Sequence, residues 1–212
     1  MSPHKTRRAR RQKSNKSLWL AIAIIAIIVV SVGVVYFATS NQTPASTPQT
    51  IPPTKVLLQT TVGNITIDLR TDKTITSGNF INLVKEGKYD GTTFHRVVAG
   101  FMIQGGQISG STPTINDEIG SNNRNAKYTI AMAKTSQPNS ATSEFFINVA
   151  DNGIKYSSGN FDGTYAVFGN VTAGRDVVDA MANAQVTANQ AMGGEVSLPL
   201  SPVTITKASI VP

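Results

Sequence analysis

Phe94–Gly106, which reads FHRVVAGFMIQGG, decides the fold of this chain. Side chains alternate across a strand, so Phe94 and Arg96 are predicted to share one face while His95 lies on the other. A glycine breaks this run, an extended segment follows it, and a glycine pair ends that segment. A strand followed by such a bend can bring a guanidinium, an amide and large apolar side chains onto one surface. An isolated arginine in a strand would more often form only a surface ion pair.

The same stretch resembles the signature of the cyclophilin-type peptidyl-prolyl isomerases, FHRVxxGFMxQGG, at nearly every position. Further blocks are similar to the bacterial form of that family: Ile130–Lys134 followed by Ser140–Val149, and then Tyr165–Gly169. The resemblance runs from about Val56 to Val211. It implies a closed eight-stranded antiparallel β-barrel with an α-helix capping each end.

Hydrophobic periodicity independently predicts a mainly β domain, because many short strands and two helices occur without βαβ alternation. A turn at Gly63-Asn64 is predicted to join the first two strands, and residues 105–125 are predicted to form a long polar loop. The predicted strands outside Phe94–Gly106 are Val56–Thr60, Ile65–Leu69, Tyr128–Ala133, Phe145–Val149, Ala166–Val171, Val203–Thr206 and Ile210–Val211, and the predicted helices are Thr76–Glu86 and Arg175–Asn183.

The positive charge of the chain is concentrated at its N-terminus. The net charge is +7, and residues 1–17 contain seven lysines and arginines and no acidic residue. From Thr39 onward twelve basic residues balance twelve acidic ones. A domain that binds nucleic acid should carry a basic face of its own, so we expect no nucleic-acid partner.

Leu18–Ala38 is predicted to be a transmembrane helix. These 21 residues carry no charge, and at about 1.5 Å per residue they span roughly 31 Å, enough for a bilayer core. Trp19 and Tyr36 lie where interfacial aromatic residues are expected. A cleaved signal peptide is the alternative, but its apolar region is shorter, about 7–15 residues. The basic residues before the run predict a cytoplasmic N-terminus and an extracytoplasmic domain.

The domain organisation follows from these composition changes. Residues 1–17 form a basic cytoplasmic tail, and residues 18–38 form a signal-anchor that holds the chain in the cell membrane in a single pass. Residues 39–55, rich in Pro, Ser and Thr, form an extended linker. Residues 56–212 form the cyclophilin-like domain, which we expect to be a monomer.

The chemistry expected of such a domain needs no nucleophile. An X–Pro bond isomerises slowly because its amide has partial double-bond character, with a barrier of about 18–20 kcal/mol. Catalysis then requires only that the twisted amide bind better than the planar one. The chain has no cysteine and only two histidines. We therefore expect no metal and no cofactor.

The resemblance implies a role for each matching residue. Arg96 is the catalytic arginine, Phe101 belongs to the proline pocket, and Gln104 orients the substrate backbone. The remaining substrate-binding positions implied by the resemblance are His95, Met102, Ala133, Lys134, Glu144, Phe146, Ile154 and Tyr165. For His95 a purely structural role is an equal alternative, and for Met102 and Phe146 the alternative is core packing.

Three positions depart from common family patterns. Glu144 stands where glutamine is usual, so a carboxylate near Arg96 either holds the guanidinium or competes for it. Ile154 replaces a tryptophan or phenylalanine, which predicts weaker binding of cyclosporin. Tyr165 stands where many eukaryotic members have histidine, and bacterial members often have tyrosine there.

Two functions remain open from the sequence. The first is a peptidyl-prolyl cis-trans isomerase, or rotamase, that helps exported or cell-surface proteins fold and takes proline-containing polypeptides as substrates. The second is a chaperone or scaffold module that binds proline-containing segments with little turnover. Arg96, Phe101 and Gln104 favour the first, while Glu144 and Ile154 leave room for the second.

Overall fold

The structure is a computed structural model that describes residues 50–153 and 160–212. The basic tail, the predicted anchor at residues 18–38 and most of the linker lie outside the described residues, as does Ile154. Within the described ranges no helix is long and apolar enough to cross a membrane.

Eight of the ten described strands close an antiparallel barrel in the order β1-β10-β3-β4-β6-β5-β7-β2. The remaining two, β8 and β9, pair only with each other as a separate hairpin. The predicted mainly β barrel is therefore confirmed. The strands are β1 Lys55–Thr60, β2 Gly63–Leu69, β3 Thr93–Val98, β4 Met102–Gly105, β5 Thr129–Met132, β6 Phe145–Asn148, β7 Val167–Ala173, β8 Val186–Asn189, β9 Glu195–Pro199 and β10 Val203–Val211.

Two α-helices pack apolar faces into the main core: α1 at Thr74–Lys85 and α2 at Arg175–Ala182. Helix α1 has no cap from its own N-cap side chain. Its first-turn amides instead donate to the carboxylate of Glu118, from Ile75 N at 3.3 Å and Thr76 N at 2.9 Å. An anionic group suits the exposed N–H groups and the positive end of the helix dipole. The long loop at 105–125 thus supports the fold directly.

The β4, β5 and β6 strands alternate between two apolar clusters on their opposite faces. Residues such as Ile103, Ile130 and Ile147 enter the main core. Their neighbours form a smaller group, here called the second cluster, which consists of Phe101, Met102, Ala131, Phe146 and Val167. Because strand alternation places this cluster on the far side of the barrel wall from the core, its buried residues are available to form a surface pocket.

A β-bulge overturns the predicted alternation in β3. Phe94 pairs with Gly105 and Arg96 pairs with Gln104, so His95 is an extra residue in the ladder. Phe94 is consequently buried in the main core, whereas Arg96 reaches the opposite side. The prediction that these two side chains share a face was wrong, because strict two-residue alternation assumes an unbroken ladder.

The glycine pair that ends the decisive stretch is required by close packing. Gly106 has a φ of +76°, and a Cβ at that position would lie 2.6 Å from the ring of Phe145. A Cβ at Gly105 would lie 2.8 Å from the carbonyl oxygen of Thr93. Only glycine therefore allows β4 to end against the aromatic core.

One other sequence prediction needs correction, and one element was missed. The turn between β1 and β2 consists of Thr61 and Val62, since Thr60 pairs with Gly63. The hydroxyl of Thr60 stabilises this turn by accepting from the amide of Val62 at 3.2 Å. The β8–β9 hairpin was not predicted at all, and it carries a residue of the candidate site.

Candidate active site

Arg96 and Gln104 lie opposite each other on β3 and β4, and their side chains are bonded. Arg96 Nη1 donates to Gln104 Oε1 at 3.1 Å. The bulge at His95 and the register of the two strands place the guanidinium and the amide side by side. The structure therefore brings together two of the three residues predicted to be catalytic.

Glu195 in β9 holds the other edge of the guanidinium. Arg96 Nε donates to Glu195 Oε2 at 2.7 Å, and Arg96 Nη2 donates to Glu195 Oε1 at 3.0 Å. This is the bidentate geometry that fixes a guanidinium in a plane. The hydrogen bonds from Arg96 lower the pKa of Glu195 below its usual value. The sequence analysis missed Glu195, because no local pattern connects the two residues.

Glu144 does not pair with Arg96 in this structure. Its carboxylate accepts from Gln104 Nε2 at 2.8 Å and lies 3.5 Å from His95 Nε2. These contacts lower the pKa of Glu144, and the contact with His95 has the largest effect. The prediction that Glu144 holds the guanidinium of Arg96 or competes for it is therefore not met. Glu144 contacts Gln104, and Gln104 in turn contacts Arg96. His95 gains a partner that the sequence did not reveal.

A group of apolar side chains lies beside these polar residues, where the sequence predicts the proline pocket. The second cluster supplies its floor with Phe101, Met102 and Phe146, which are 9%, 2% and 4% exposed. Phe161 and Tyr165 pack against these residues. The Phe161 ring centroid lies 5.3 Å from that of Phe101, and the Tyr165 centroid lies 5.4 Å from that of Phe146.

Phe161 is a pocket residue that the sequence analysis missed. It begins a short 3₁₀ helix, Phe161–Gly163, which the side chain of Asn160 caps by accepting from the amide of Gly163. The available signal was its position four residues before Tyr165, which the resemblance did identify. The predicted residues Phe101, Met102, Phe146 and Tyr165 do come together here, whereas Ile154 lies outside the described residues.

Buried asparagines hold the pocket walls in place. Asn152 Nδ2 donates to the carbonyl of Phe101 at 2.6 Å and to Asn148 Oδ1 at 2.7 Å. Asn148 Nδ2 donates in turn to Thr129 Oγ1 at 2.8 Å and to Asn125 Oδ1 at 3.2 Å. Asn125 Nδ2 reaches the carbonyl of Phe161 at 3.0 Å. The network therefore connects the backbone carbonyls of Phe101 and Phe161, on two sides of the pocket, through side chains that are almost fully buried.

Ala133 and Lys134 follow β5 and border the polar side of the site. The amide of Ala133 donates to the carbonyl of Glu144 at 2.9 Å, which extends the β5–β6 pairing beyond the ends of these strands. Lys134 Nζ lies 2.6 Å from Asp117 Oδ2, so its charge is already paired.

The site thus combines a fixed hydrogen-bond donor with an apolar cluster. Its polar row is Glu195–Arg96–Gln104–Glu144–His95, and the second cluster lies alongside. In the described part of the chain, no group of three or more His, Asp or Glu side chains is arranged to hold a metal ion. The arrangement is suited to binding an apolar ring and to stabilising a hydrogen-bond acceptor next to it.

Comparison with known proteins identifies sequences and structures of the same kind. The profile of the family described as cyclophilin type peptidyl-prolyl cis-trans isomerase/CLD matches residues 55–210. The chain is 41% identical over 165 residues to peptidyl-prolyl cis-trans isomerase A of Dickeya dadantii, covering 74% of this chain and 85% of that protein. It is 42% identical over 164 residues to peptidyl-prolyl cis-trans isomerase cyp18 of Streptomyces antibioticus, covering 73% of this chain and 97% of that protein.

A solved structure supports the fold. The cyclophilin type peptidyl-prolyl cis-trans isomerase of Cryptosporidium parvum superposes with a TM-score of 0.64 at 22% identity. The match covers 76% of this chain and 99% of that one.

Proposed function

This chain belongs to the cyclophilin-type peptidyl-prolyl cis-trans isomerase family and is a peptidyl-prolyl cis-trans isomerase, and we propose that it acts on exported polypeptides outside a cell membrane. One observation carries the catalytic assignment: Arg96, bonded to both Glu195 and Gln104, lies beside the apolar second cluster.

Arg96 supplies the interaction that favours the twisted amide. As the X–Pro bond rotates, the prolyl nitrogen loses conjugation and becomes a better hydrogen-bond acceptor. A guanidinium has five N–H donors, and three bonds hold Arg96 to Glu195 and Gln104. Donors left on Nη1 and Nη2 are available to the substrate. Because the guanidinium is already fixed, it stabilises the twisted state without reorganising.

The second cluster binds the proline ring. Phe101, Met102 and Phe146 provide apolar contact area, and Phe161 and Tyr165 form an aromatic edge. Excluding water from this pocket strengthens the hydrogen bond from Arg96, because the effective dielectric constant falls. Gln104 then orients the substrate backbone while its own amide is held by Glu144.

The proposed location rests on the sequence of the N-terminal segment. Residues 18–38 are long and apolar enough for a single transmembrane helix, and seven basic residues precede them. In that arrangement residues 39–55 connect the membrane to the domain. The substrates would be proline-containing segments of proteins folding after export, and the domain would act as a monomeric folding helper.

The catalytic assignment is tested by measuring prolyl isomerisation with the full chain in detergent, with Arg96→Ala beside the wild type. We expect catalysis in the wild type and loss of most of it in the variant. If the wild type binds proline peptides without accelerating isomerisation, the alternative of a binding module with little turnover replaces this proposal.

The location is tested separately by adding protease to intact cells with any outer membrane permeabilised. Cleavage between Thr39 and Lys55 should release the domain as a discrete fragment. A domain that stays protected until the membrane is dissolved contradicts the proposed topology but leaves the catalytic assignment intact.

A further inference from the structure

A small recess of about 180 Å³ opens next to the proposed proline pocket. We call it the lateral recess and define it by Gln104, Ala133, Lys134 and Glu144, which line it together with neighbouring hydroxyl side chains. Ala133 also packs against the second cluster, and Gln104 is bonded to Arg96. The recess and the pocket therefore share a border, and a bound peptide can enter both.

Strand geometry indicates how many substrate residues separate the proline pocket from the lateral recess. Glu144 precedes Phe146 by two positions, so both side chains lie on the same face of the extended segment. The bond from the Ala133 amide to the Glu144 carbonyl shows that pairing continues to Glu144. At about 3.3 Å per residue the two positions are roughly 7 Å apart. An extended peptide with proline against Phe146 thus reaches Glu144 two residues away.

Glu144 brings to this recess a negative charge that no lysine or arginine of the described residues neutralises. Its partners are the amide of Gln104 and the imidazole of His95, and in residues 50–153 and 160–212 no lysine or arginine forms an ion pair with it. The two nearby cations are paired elsewhere, Lys134 with Asp117 and Arg96 with Glu195. The lowered pKa of Glu144 agrees with a carboxylate that stays ionised near neutral pH.

We propose that Glu144 makes the lateral recess selective for substrates that carry lysine or arginine two residues from the isomerising proline. This inference rests on the proposed function and adds a substrate class to it. The Glu144 side chain is 28% exposed, so an incoming ammonium or guanidinium can approach it without full desolvation. An acidic substrate residue at the same place would be disfavoured by like-charge repulsion.

The competing explanation is that Glu144 serves only to hold Gln104. A glutamine at position 144 can also accept the hydrogen bond from Gln104 Nε2, so Glu144→Gln removes the charge while keeping that bond. The experiment uses the full chain in detergent and matched peptides with Lys, Gln or Glu two residues before or two residues after the proline. Exchange spectroscopy by NMR measures isomerisation without a coupling protease.

For the wild type we expect the order Lys, Gln, Glu in kcat/KM at one of the two peptide positions. The ratio of Lys to Gln peptides should be about three- to fivefold, the effect of a partly exposed ion pair. In Glu144→Gln this ratio should fall to about one. Glu86→Gln, which removes an equal charge from an exposed position at the end of α1, should keep the wild-type ratio.

Each result decides between the explanations. The inference is overturned if the Lys-to-Gln ratio of kcat/KM in the wild type is near or below one at both peptide positions. It is also overturned if Glu144→Gln keeps the wild-type ratio. In either case, isomerisation of all the peptides leaves the proposed function standing. If no peptide isomerises faster than without protein, the proposed function fails as well. Should Glu144→Gln not fold, the wild-type ratio must still decline toward one in about 1 M salt, where the Debye length is about 3 Å. A salt-independent ratio contradicts the inference.

Discussion

Arg96 on β3 and Glu195 on β9 form a bidentate ion pair between residues 99 positions apart in the sequence. Glu195 lies on a hairpin that is not part of the barrel, so the guanidinium is fixed jointly by the barrel, through Gln104, and by the hairpin. The side chains are 18% and 32% exposed, which leaves the pair partly shielded from water. This relationship makes the hairpin a positioning element for the proposed catalytic group.

The role of Glu195 as a positioning residue can be separated from a structural role. Glu195→Ala should lower kcat by about tenfold with a smaller change in KM, because a freely rotating guanidinium must be ordered in the transition state. Stability should fall by about 1 kcal/mol or less, as for a partly exposed ion pair. Steady-state kinetics and urea unfolding on the same sample measure both.

The matched control for that variant is Glu195→Gln, which keeps one acceptor for Arg96. It should recover part of the lost kcat, whereas Ser209→Ala on β10 should behave as the wild type. Equal activity in the wild type and Glu195→Ala would show that Gln104 alone positions Arg96.

The contribution of the Arg96–Glu195 pair to the free energy of unfolding should decrease as the pH falls. The pKa of Glu195 is lowered in the folded protein by the hydrogen bonds from Arg96. A lowered pKa contributes stability that is present above the unfolded value and is lost as pH falls through the folded one. The difference in unfolding free energy between the wild type and Glu195→Gln should therefore be constant from about pH 8 to pH 6 and shrink below about pH 4. Urea titrations across this range test it, and a difference that grows at low pH contradicts the assignment.

Arg96 should contribute to the transition state more than to substrate binding. Removing one preorganised donor in other enzymes costs roughly 2.7–4 kcal/mol, about 10²–10³ in rate. Arg96→Ala should therefore lose about two orders of magnitude in kcat/KM. Peptide affinity should change much less, since Phe101, Met102 and Phe146 still bind the ring. Isomerisation rates and peptide titrations measured together distinguish these effects.

Arg96→Lys provides the control for charge alone. An ammonium cannot engage Glu195 and Gln104 simultaneously with planar geometry, so we expect no recovery of rate. Full activity in Arg96→Lys would mean that positive charge, rather than direction, is what the site needs. Wild-type turnover in Arg96→Ala would falsify the catalytic assignment.

The asparagine network should be important for stability. Asn148 is fully buried and connects Asn152, Asn125 and Thr129. Asn148→Ala leaves the hydroxyl of Thr129 and the side chains of the other two without this partner, so we expect a loss of about 2–3 kcal/mol. Chemical unfolding measures this loss. Asn183→Ala, at an exposed helix end, is the matched control and should change stability by about 0.5 kcal/mol or less. Similar losses in both variants would argue against a special role for the network.

The sequence by itself determined the fold class and most of the proposed site. Local signals suffice where a residue's role depends on its strand neighbours: Arg96 and Gln104 face each other because β3 and β4 are joined by a short connection. Phe101 and Phe146 were identified because they lie in the blocks that resemble the family, whereas Phe161, which also packs here, was missed. The glycine pair at the end of β4 was also recognised in the sequence, but the reason for it is tertiary, since a Cβ at either position would collide with Thr93 or Phe145, which are distant along the chain.

Only the tertiary structure decided how the charges of the site are arranged. Glu144 was expected near Arg96, but the barrel register places Gln104 between them. Glu195 could not be found from the sequence, because its pairing depends on how the β8–β9 hairpin packs against β3. The bulge at His95 had the same origin, since an extra residue in a ladder is defined by the partner strand. Hydrophobic pattern is a property of each segment, whereas the pairing of charges is a property of segments brought together by folding.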